Sequence, residues 1–557
     1  MRGSRVVALA AASAGALGVA YLILPVMGSD LAAQVARADF FAAHGPTPVD
    51  LRWYGGVQQF GYSLLAQPVM ALLGVRPTGV VALVAAATLF AALLVRTRVP
   101  RPLLGSLVGV ATIAGNLVSG RITYGLGVAF GLAALLALTW RAAPSSTGTT
   151  PTRRRWPLVL AGVGALLASA TSPVAGLFVG LAGVALLLSR RWAEGLTLAV
   201  TAALPLGVTA LLFGDGGWMN ISRTDTIRAT VTALLVAALV RYRPVRVGAL
   251  LAAAGVVAAA LLHTPVGLNA TRLATMFALP LLAAAAHRPA WLGPTRRMGR
   301  PAPPAQPPSA SPAQAPSGGA MPQPARRRVG AVALAVLLGV VCWWQPPVVP
   351  ADLRSIGDPT NDPGYFAPLR AELDRRGLTG RLEVPPTRNY WEAARLGEVP
   401  LARGWLRQAD IDRNPLFFTT VPGAAGTGVP LTVDSYRAWL DDNAVQYVAV
   451  PDVPLSWVGR AEAELIDDGL PYLTEVWSDR HWRLYAVTDP TPLVGAPGEL
   501  LRTDGASVTF RTTGAATVPV RVRHSRWLTA SGGAIVTADG DWTAVRLPRA
   551  GTYTLGS

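Results

Sequence analysis

Lysine is absent from this chain, so all 49 basic residues are arginine. Charge of either sign is scarce: 14% of the 557 residues are charged, while 51% are hydrophobic. Mean hydropathy is +0.39. The missing lysine reads as a high-GC coding bias rather than a functional trait. The single cysteine, Cys342, excludes an intrachain disulfide and leaves the redox compartment open. There is no Walker motif, no GxGxxG after a strand, no HExxH, no CxxC and no GxSxG. Soluble-nucleotide and zinc chemistry therefore lack support.

The net charge of +18 suggests nucleic-acid binding until it is divided along the chain. Residues 1–345 carry 28 Arg and 6 acids, a balance of +22, whereas residues 346–557 carry 21 Arg and 25 acids, a balance of −4. The excess lies among apolar runs, where it reads as membrane topology. A nucleic-acid partner needs a soluble basic domain, and none is present.

What the chain has in abundance is long, nearly uncharged stretches. Apolar runs fall at 6–27, 78–95, 102–119, 122–140, 157–171, 173–189, 195–213, 228–240, 246–262, 273–286 and 329–345. They predict a polytopic α-helical membrane protein with about 11 spans, several near the lower length limit. The N-terminal run, preceded by Arg2 and Arg5, has the look of a signal peptide. Its length favours an uncleaved first helix. A tight turn or kink is expected at Ser172–Pro173.

Arginines alternate from loop to loop. Arg2 and Arg5, then Arg96–Arg101, Arg141 with Arg153–Arg155, Arg190–Arg191, Arg241–Arg246 and the arginines of 288–328 fall on one side. Asp30, Asp39, Asp50, Asp215 and Asp225 fall on the other. The positive-inside rule makes the Arg-rich side cytoplasmic. The expected location is thus a bacterial plasma membrane, multi-pass, with a cytoplasmic N-terminus and an extracytoplasmic C-terminal region.

Five segments are expected: a multi-span membrane domain at 1–287, a linker at 288–328, a last transmembrane helix at 329–345, an extracytoplasmic α/β domain at 346–489, and a small β-sandwich-like domain at 490–557. The linker, rich in Pro, Ala, Ser and Gln, cannot bury a core and should be disordered. Residues 364–487 mix helical stretches with short strands. From about 490, short alternating strands separated by Gly turns read as a sandwich.

The candidate site begins at Asp30, directly after the first apolar run. A carboxylate there must be held at the membrane surface, because ionising it in hydrocarbon is costly. It is a candidate general base, and equally a solvated interfacial acid. Asp39, nine residues on, points to the opposite helical face, so the two are not a paired dyad. His44, Arg52, Trp53, Tyr54, Gly55 and Gly56 crowd the following loop. Trp and Tyr there suit sugar stacking or the membrane interface alike. The segment GYSLLAQPVMALLG is too short to span and fits a re-entrant or surface-lying helix. Arg121, Arg223, His263 and Arg272 lie in loops on Asp30's side. Arginines there can hold a phosphate in bidentate fashion. Helix-end anchoring, or local pairing such as Arg223 with Asp225, explains them as well, and His263 also reads as structural. In the outer domain, PLARGWLRQADIDRNPLFF is dense in Arg, Trp, Asp and Asn. It suits a glycan acceptor contact or a buried polar network equally.

The acid after the first helix in GSDLAAQVARADFF, the many spans, the short paired helices of LLASATSPVAGLFVGLAG and the external C-terminal region together resemble the GT-C superfamily of integral membrane glycosyltransferases. The layout is similar to actinobacterial arabinosyl- and mannosyltransferases and to YfhO-like membrane proteins. The usual second acid close to the first is missing, with Asp39 a loose match. The resemblance implies transfer of a sugar from a polyprenyl-phosphate donor to an external glycan or lipid acceptor within membrane lipid, with Asp30 catalytic. Asp39, His44, Arg52, Trp53, Tyr54, Arg121, Arg223, His263 and Arg272 are the substrate-binding candidates. Such families admit a divalent cation, though no ligand cluster is visible and no cofactor is certain from the sequence. Two other classes stay open. A lipid or sugar transporter or flippase would carry charges near mid-membrane and inverted repeats. A non-catalytic cell-envelope assembly protein would act through residues 346–557.

Overall fold

The computed structural model describes residues 3–140, 156–287, 323–424 and 428–557, the side chains of 323–329 excepted. The expected linker falls largely outside the described residues, as do Arg141 and Arg153–Arg155.

Each of the eleven apolar runs lies on a helix. These helices are α1 (Gly3–Ile23), followed after three shorter helices by α5 (Val75–Arg96), α6 (Pro102–Val118), α7 (Ile122–Ala137), α8 (Trp156–Thr171), α9 (Pro173–Leu188), α10 (Trp192–Leu212), α11 (Arg223–Leu239), α12 (Arg243–Leu261), α13 (Arg272–Ala285) and α14 (Gln323–Trp344). Among the described residues, α1, α5, α10, α12 and the segment Gly267–Ala285 are long and apolar enough to cross a membrane. Pro102–Val118, Ile122–Ala137, Trp156–Thr171, Pro173–Leu188 and Gly330–Trp344 are shorter apolar helices. Helix α11 carries Arg223, Asp225 and Arg228 in its first two turns.

Large apolar side chains remain exposed around the bundle, for example Ile23 at 79% and Trp343 at 80%. Small residues such as Ala10, Ala14, Ala86 and Ala87 fill its interior. That inversion suits helices solvated by lipid, which associate through close packing rather than water exclusion. At Ser172, α8 ends and α9 begins, with the Ser172 hydroxyl accepting from the Ala175 amide at 3.3 Å.

Between α1 and α5 lie α2 (Leu31–His44), strands β1 (Val49–Asp50) and β2 (Val57–Gln58), α3 (Gln59–Tyr62) and α4 (Ala66–Leu73). The eight residues of α4 rise only about 12 Å, well short of a ~30 Å hydrocarbon core. Ser63 breaks the path, its hydroxyl accepting from the Ala66 amide at 2.8 Å, and Leu72 is 84% exposed.

The bundle has two distinct ends. At one, arginines cap helical carbonyls: Arg101 donates to Ala283 and Ala286 at 2.8 and 2.7 Å, and Arg243 to Leu188 at 3.2 Å. A cation there complements the negative end of the helix dipole. The opposite end carries Asp30 and is covered by the C-terminal region.

That region begins with α15 (Pro350–Arg354) and α16 (Pro363–Arg376). It continues through β3 (Arg381–Glu383), α17 (Glu392–Arg395), α18 (Arg407–Arg413), α19 (Val433–Asp442), β4 (Val445–Pro451), α20 (Trp457–Asp467), β5 (Leu473–Ser478) and β6 (Trp482–Val487). The sheet order is β3-β4-β6-β5, with β3 parallel to β4 and the other pairs antiparallel. Strands β7 (Glu499–Thr503), β8 (Ser507–Thr512), β9 (Ala516–Arg523), β10 (Thr529–Ala530), β11 (Ile535–Asp539), β12 (Trp542–Leu547) and β13 (Gly551–Gly556) form two further sheets, β10-β13-β8-β7 and β11-β12-β9. Phe510, Val518, Val545 and Leu555 fill the space between them, joined by Val49 and Leu51 from the loop after α2.

Within the α/β part, Glu392 is buried and accepts a hydrogen bond from the Thr387 hydroxyl at 2.6 Å. Burial pushes its carboxyl up to about 8. The unfolded value is about 4.3. The raised folded value stabilises the fold fully below the unfolded value, and that contribution is lost as pH rises through about 8. Glu392→Gln should therefore flatten the fall in Tm between roughly pH 5 and 8. A parallel Tm-versus-pH curve for the variant would refute this reading.

Candidate active site

A cavity of about 650 Å³ lies between the Asp30 end of the bundle and the α/β part. Its floor is set by two loops that touch. Gly28 has φ +116° and Gly120 φ +76°. A Cβ on Gly28 would sit 2.7 Å from the Gly120 nitrogen, and one on Gly120 would sit 2.6 Å from the Leu31 nitrogen. Only glycine at both places lets the loops close. The Asp30 amide then donates to the Ser119 carbonyl at 3.0 Å, which brings Asp30 beside Arg121.

The Asp30 carboxylate accepts from Arg121 Nε at 2.9 Å and lies 3.5 Å from an Nη of Arg272. Its side chain is 14% exposed. Arg272 opens α13 after the turn Gly267–Thr271 and lies over the Tyr124 ring, 5.3 Å from its centroid. Asp30 binds Arg121 through Nε, and the remaining donors of the fork have no protein partner among the described residues.

A second acid stands close by. Asp352, on α15, is buried and accepts from the hydroxyls of Ser29 and Ser119, both at 2.5 Å. Ser355 receives the Gly28 amide at 2.8 Å. Segment 352–355 thus clasps the loop that carries Asp30. Among the described residues no group of three His, Cys, Asp or Glu could hold a metal ion. Asp30 and Asp352 do not fit a divalent cation either, since serines engage both Asp352 oxygens and Asp30 faces two guanidinium groups.

The upper wall comes from the α/β part: Arg388, Tyr390, Trp405, Arg407, Asp410, Trp457 and Arg460. Trp405 reaches down, its Nε1 donating to the Ser29 carbonyl at 3.4 Å. Cations outnumber acids around the cavity. Arg121, Arg228, Arg272, Arg354, Arg388, Arg407 and Arg460 face it, against Asp30, Asp225, Asp352 and Asp410.

Beneath the floor lies an apolar cavity of about 310 Å³ among α5, α7, α9, α11, α12 and α13, lined by residues such as Phe90, Val128, Phe178, Phe277 and Leu281. Tyr124 lines both cavities and packs edge-on against Phe178.

Of the residues nominated from sequence, the structure brings Asp30, Arg121 and Arg272 together. The others lie elsewhere. Asp39 is on the exposed face of α2. His44 Nε2 is 3.0 Å from Glu398. Arg52 is buried, bonded to Asp50 at 2.8 Å and to the Ala36 carbonyl. Trp53 Nε1 donates to the Ala393 carbonyl, and the Tyr54 hydroxyl donates to the Gly404 carbonyl. The Trp53–Tyr54–Gly55–Gly56 loop is wedged between the C-terminal parts: Leu401 donates to the Arg52 carbonyl and Arg523 to the Gly55 carbonyl. Arg223 is exposed, and the nearby Asp225 accepts from the Ser222 hydroxyl rather than from Arg223. His263 stacks on Trp218, 4.1 Å between centroids. The dense stretch around Trp405–Asp410 does reach the cavity, and its Asp410 also bonds Asn414 in the core. Asp352, Arg388, Tyr390, Trp457 and Arg460 carried no sequence signal.

This is a multi-helix chain with apolar membrane-length helices, a C-terminal β-sheet region and a cationic cavity between them. No protein-family model matches it, and no curated protein matches it. Among solved structures it is similar to arabinofuranosyltransferase AftD from mycobacteria, with a TM-score of 0.47 and 17% identity. The match covers 89% of this chain and 42% of that one, so the chain spans less than half the length of that protein.

Proposed function

We propose that the chain is a membrane glycosyltransferase that moves a sugar from a polyprenyl-phosphate donor to a glycan or lipid acceptor on the outer face of a bacterial plasma membrane. The observation that carries the reading is the placement of Asp30, Arg121 and Arg272 where a polar cavity meets an apolar one at Tyr124. A donor with a long apolar tail and an anionic head needs both environments side by side.

In the reaction, an acceptor hydroxyl oxygen bonds to the anomeric carbon as the bond from that carbon to the phosphate oxygen breaks. Asp30 takes the hydroxyl proton as general base. The electron pair leaves with polyprenyl phosphate, whose charge Arg121 and Arg272 stabilise through donors not used on Asp30. The two arginines also fix the position of the Asp30 carboxylate beside the leaving phosphate.

A photoreactive polyprenyl phosphate with its benzophenone near the head group tests the location. Cross-links should map to peptides around Arg121–Val128 and Arg272–Phe277, and unlabelled lipid should compete them away. Labelling confined to the Arg96–Arg101 end would place the head group at the wrong side of the bundle.

The loop arginines support a cytoplasmic location for the capped end and an outer one for the C-terminal region. Thr513, exposed in the turn after β8, supplies a probe. Thr513→Cys should react with an impermeant maleimide in intact cells. Protection until the cells are lysed would reverse the orientation.

A further inference from the structure

The cavity's two walls treat charge differently. Away from the upper wall, Asp30 answers Arg121 and Arg272, while Arg228 and Arg354 form no ion pair with any described residue. On the upper wall, Arg388, Arg407 and Arg460 form no ion pair with any described residue. The one acid of that wall, Asp410, is turned into the core, where its Oδ1 accepts from Asn414 Nδ2 at 2.9 Å. Burial raises its pKa, and the charges of Arg403 and Arg407 oppose that shift.

Arg407 has one donor that its protein hydrogen bonds leave unfilled. One Nη donates to the Tyr390 hydroxyl at 3.2 Å, and the other is sealed from solvent with no partner. The Arg407 guanidinium also lies 6.0, 5.6 and 5.8 Å from the Tyr390, Phe418 and Trp457 ring centroids, which fixes the fork at the cavity wall. Tyr390 itself sits at φ 59°, a strained conformation for a bulky residue and one found at ligand clamps. Trp457 is 46% exposed beside these groups. Trp405, bonded to the residue before Asp30, bridges the wall to the floor. Aromatic faces next to arginine forks suit a sugar ring carrying an anion.

We propose that the upper wall is the acceptor subsite and that the acceptor is an anionic sugar, its phosphate or carboxylate held by Arg388, Arg407 and Arg460 while its ring packs on Trp405 or Trp457. Calling this ligand the acceptor rests on the transferase reading above. The binding claim does not, and the test below needs no turnover.

The full-length protein in lipid nanodiscs is titrated calorimetrically with mannose 6-phosphate, glucuronate, methyl glucoside and inorganic phosphate. At low salt an anionic sugar should bind about tenfold or more tightly than the neutral one, and the gap should shrink as salt screens the wall. Arg388→Gln with Arg460→Gln, both at exposed positions, should remove that gap without lowering Tm. Arg272→Gln should leave it. Three results would overturn the proposal: equal binding of neutral and anionic sugars, including none by either; inorganic phosphate binding as tightly as the sugar phosphate; or a gap removed by Arg272→Gln and retained in the double variant. Should anionic sugars bind as expected while no sugar is transferred from any polyprenyl phosphate, the transferase reading fails and this subsite stands.

Discussion

Asp30→Asn should lower the rate of sugar transfer by about 10²–10⁴, the usual contribution of a general base. The variant keeps the shape of the side chain and one acceptor oxygen for Arg121, but its amide cannot take a proton. Purified protein in proteoliposomes, supplied with a labelled polyprenyl-phosphoryl sugar and an acceptor, gives the rate. Removing the carboxylate also leaves Arg121 and Arg272 facing each other without their shared counter-charge. A moderately lower Tm is therefore expected, with the chain still folded and inserted. Asp39→Asn is the control, because Asp39 lies on the exposed face of α2 outside the cavity. It should transfer nearly as fast as the parent. Equal rates for the parent and Asp30→Asn would remove the catalytic role and favour transport or assembly.

Arg403→Ala should be the most destabilising single change in the α/β part. Arg403 is buried between two acids, its Nε donating to Glu383 at 2.8 Å and an Nη to Glu462. Its guanidinium lies over the Phe417 ring at 3.8 Å, and the Tyr436 hydroxyl donates to Glu462 at 2.9 Å. Burial already drives the Glu383 and Glu462 carboxyls upward, and Arg403 opposes that shift. Without Arg403 two carboxyls share a closed space with no counter-charge. Breaking a buried pair of this kind costs about 3–5 kcal/mol. For a region of this size that is roughly 6–20 °C in Tm. Arg511→Ala, which breaks an exposed pair with Glu499, should scarcely move it. A comparable Tm for both variants would contradict this account of the core. Because Gly404, Trp405 and Arg407 follow directly in the chain and line the cavity, Arg403→Ala should also depress transfer.

The helical plan was legible because hydrophobicity in a bilayer is a coarse, local signal. A run of apolar residues needs no partner to be recognised, and all eleven runs lie on helices. Asp30, Arg121 and Arg272 were legible for a related reason. Each follows or precedes such a run, so the alternation of loops puts all three at one end. Trp53 and Tyr54 show where that reasoning stops. A loop crowded with Trp, Tyr and Gly is what a sugar site needs, and also what docking onto another domain needs. Here the loop docks, with Gly55 pressed so close to Trp542 that a Cβ would lie 2.8 Å away. Asp352 was invisible because nothing local marks it. It stands in the first turn of a five-residue helix, and only folding brings it to Ser29 and Ser119. Arg388, Tyr390 and Arg460 were hidden likewise, scattered over a domain whose surface is rich in arginine throughout.

The central claim is that this chain draws its sugar from a lipid phosphate at the Asp30 end of the bundle. The most direct measurement is the initial rate of label transfer from a polyprenyl-phosphoryl sugar into acceptor by purified protein in proteoliposomes, beside a parallel reaction offering the same sugar as a nucleotide donor. The account predicts transfer from the lipid donor, none from the nucleotide, and loss of transfer in Asp30→Asn. Transfer from the nucleotide sugar alone, or none from a panel of polyprenyl-phosphoryl pentoses and hexoses, would contradict it.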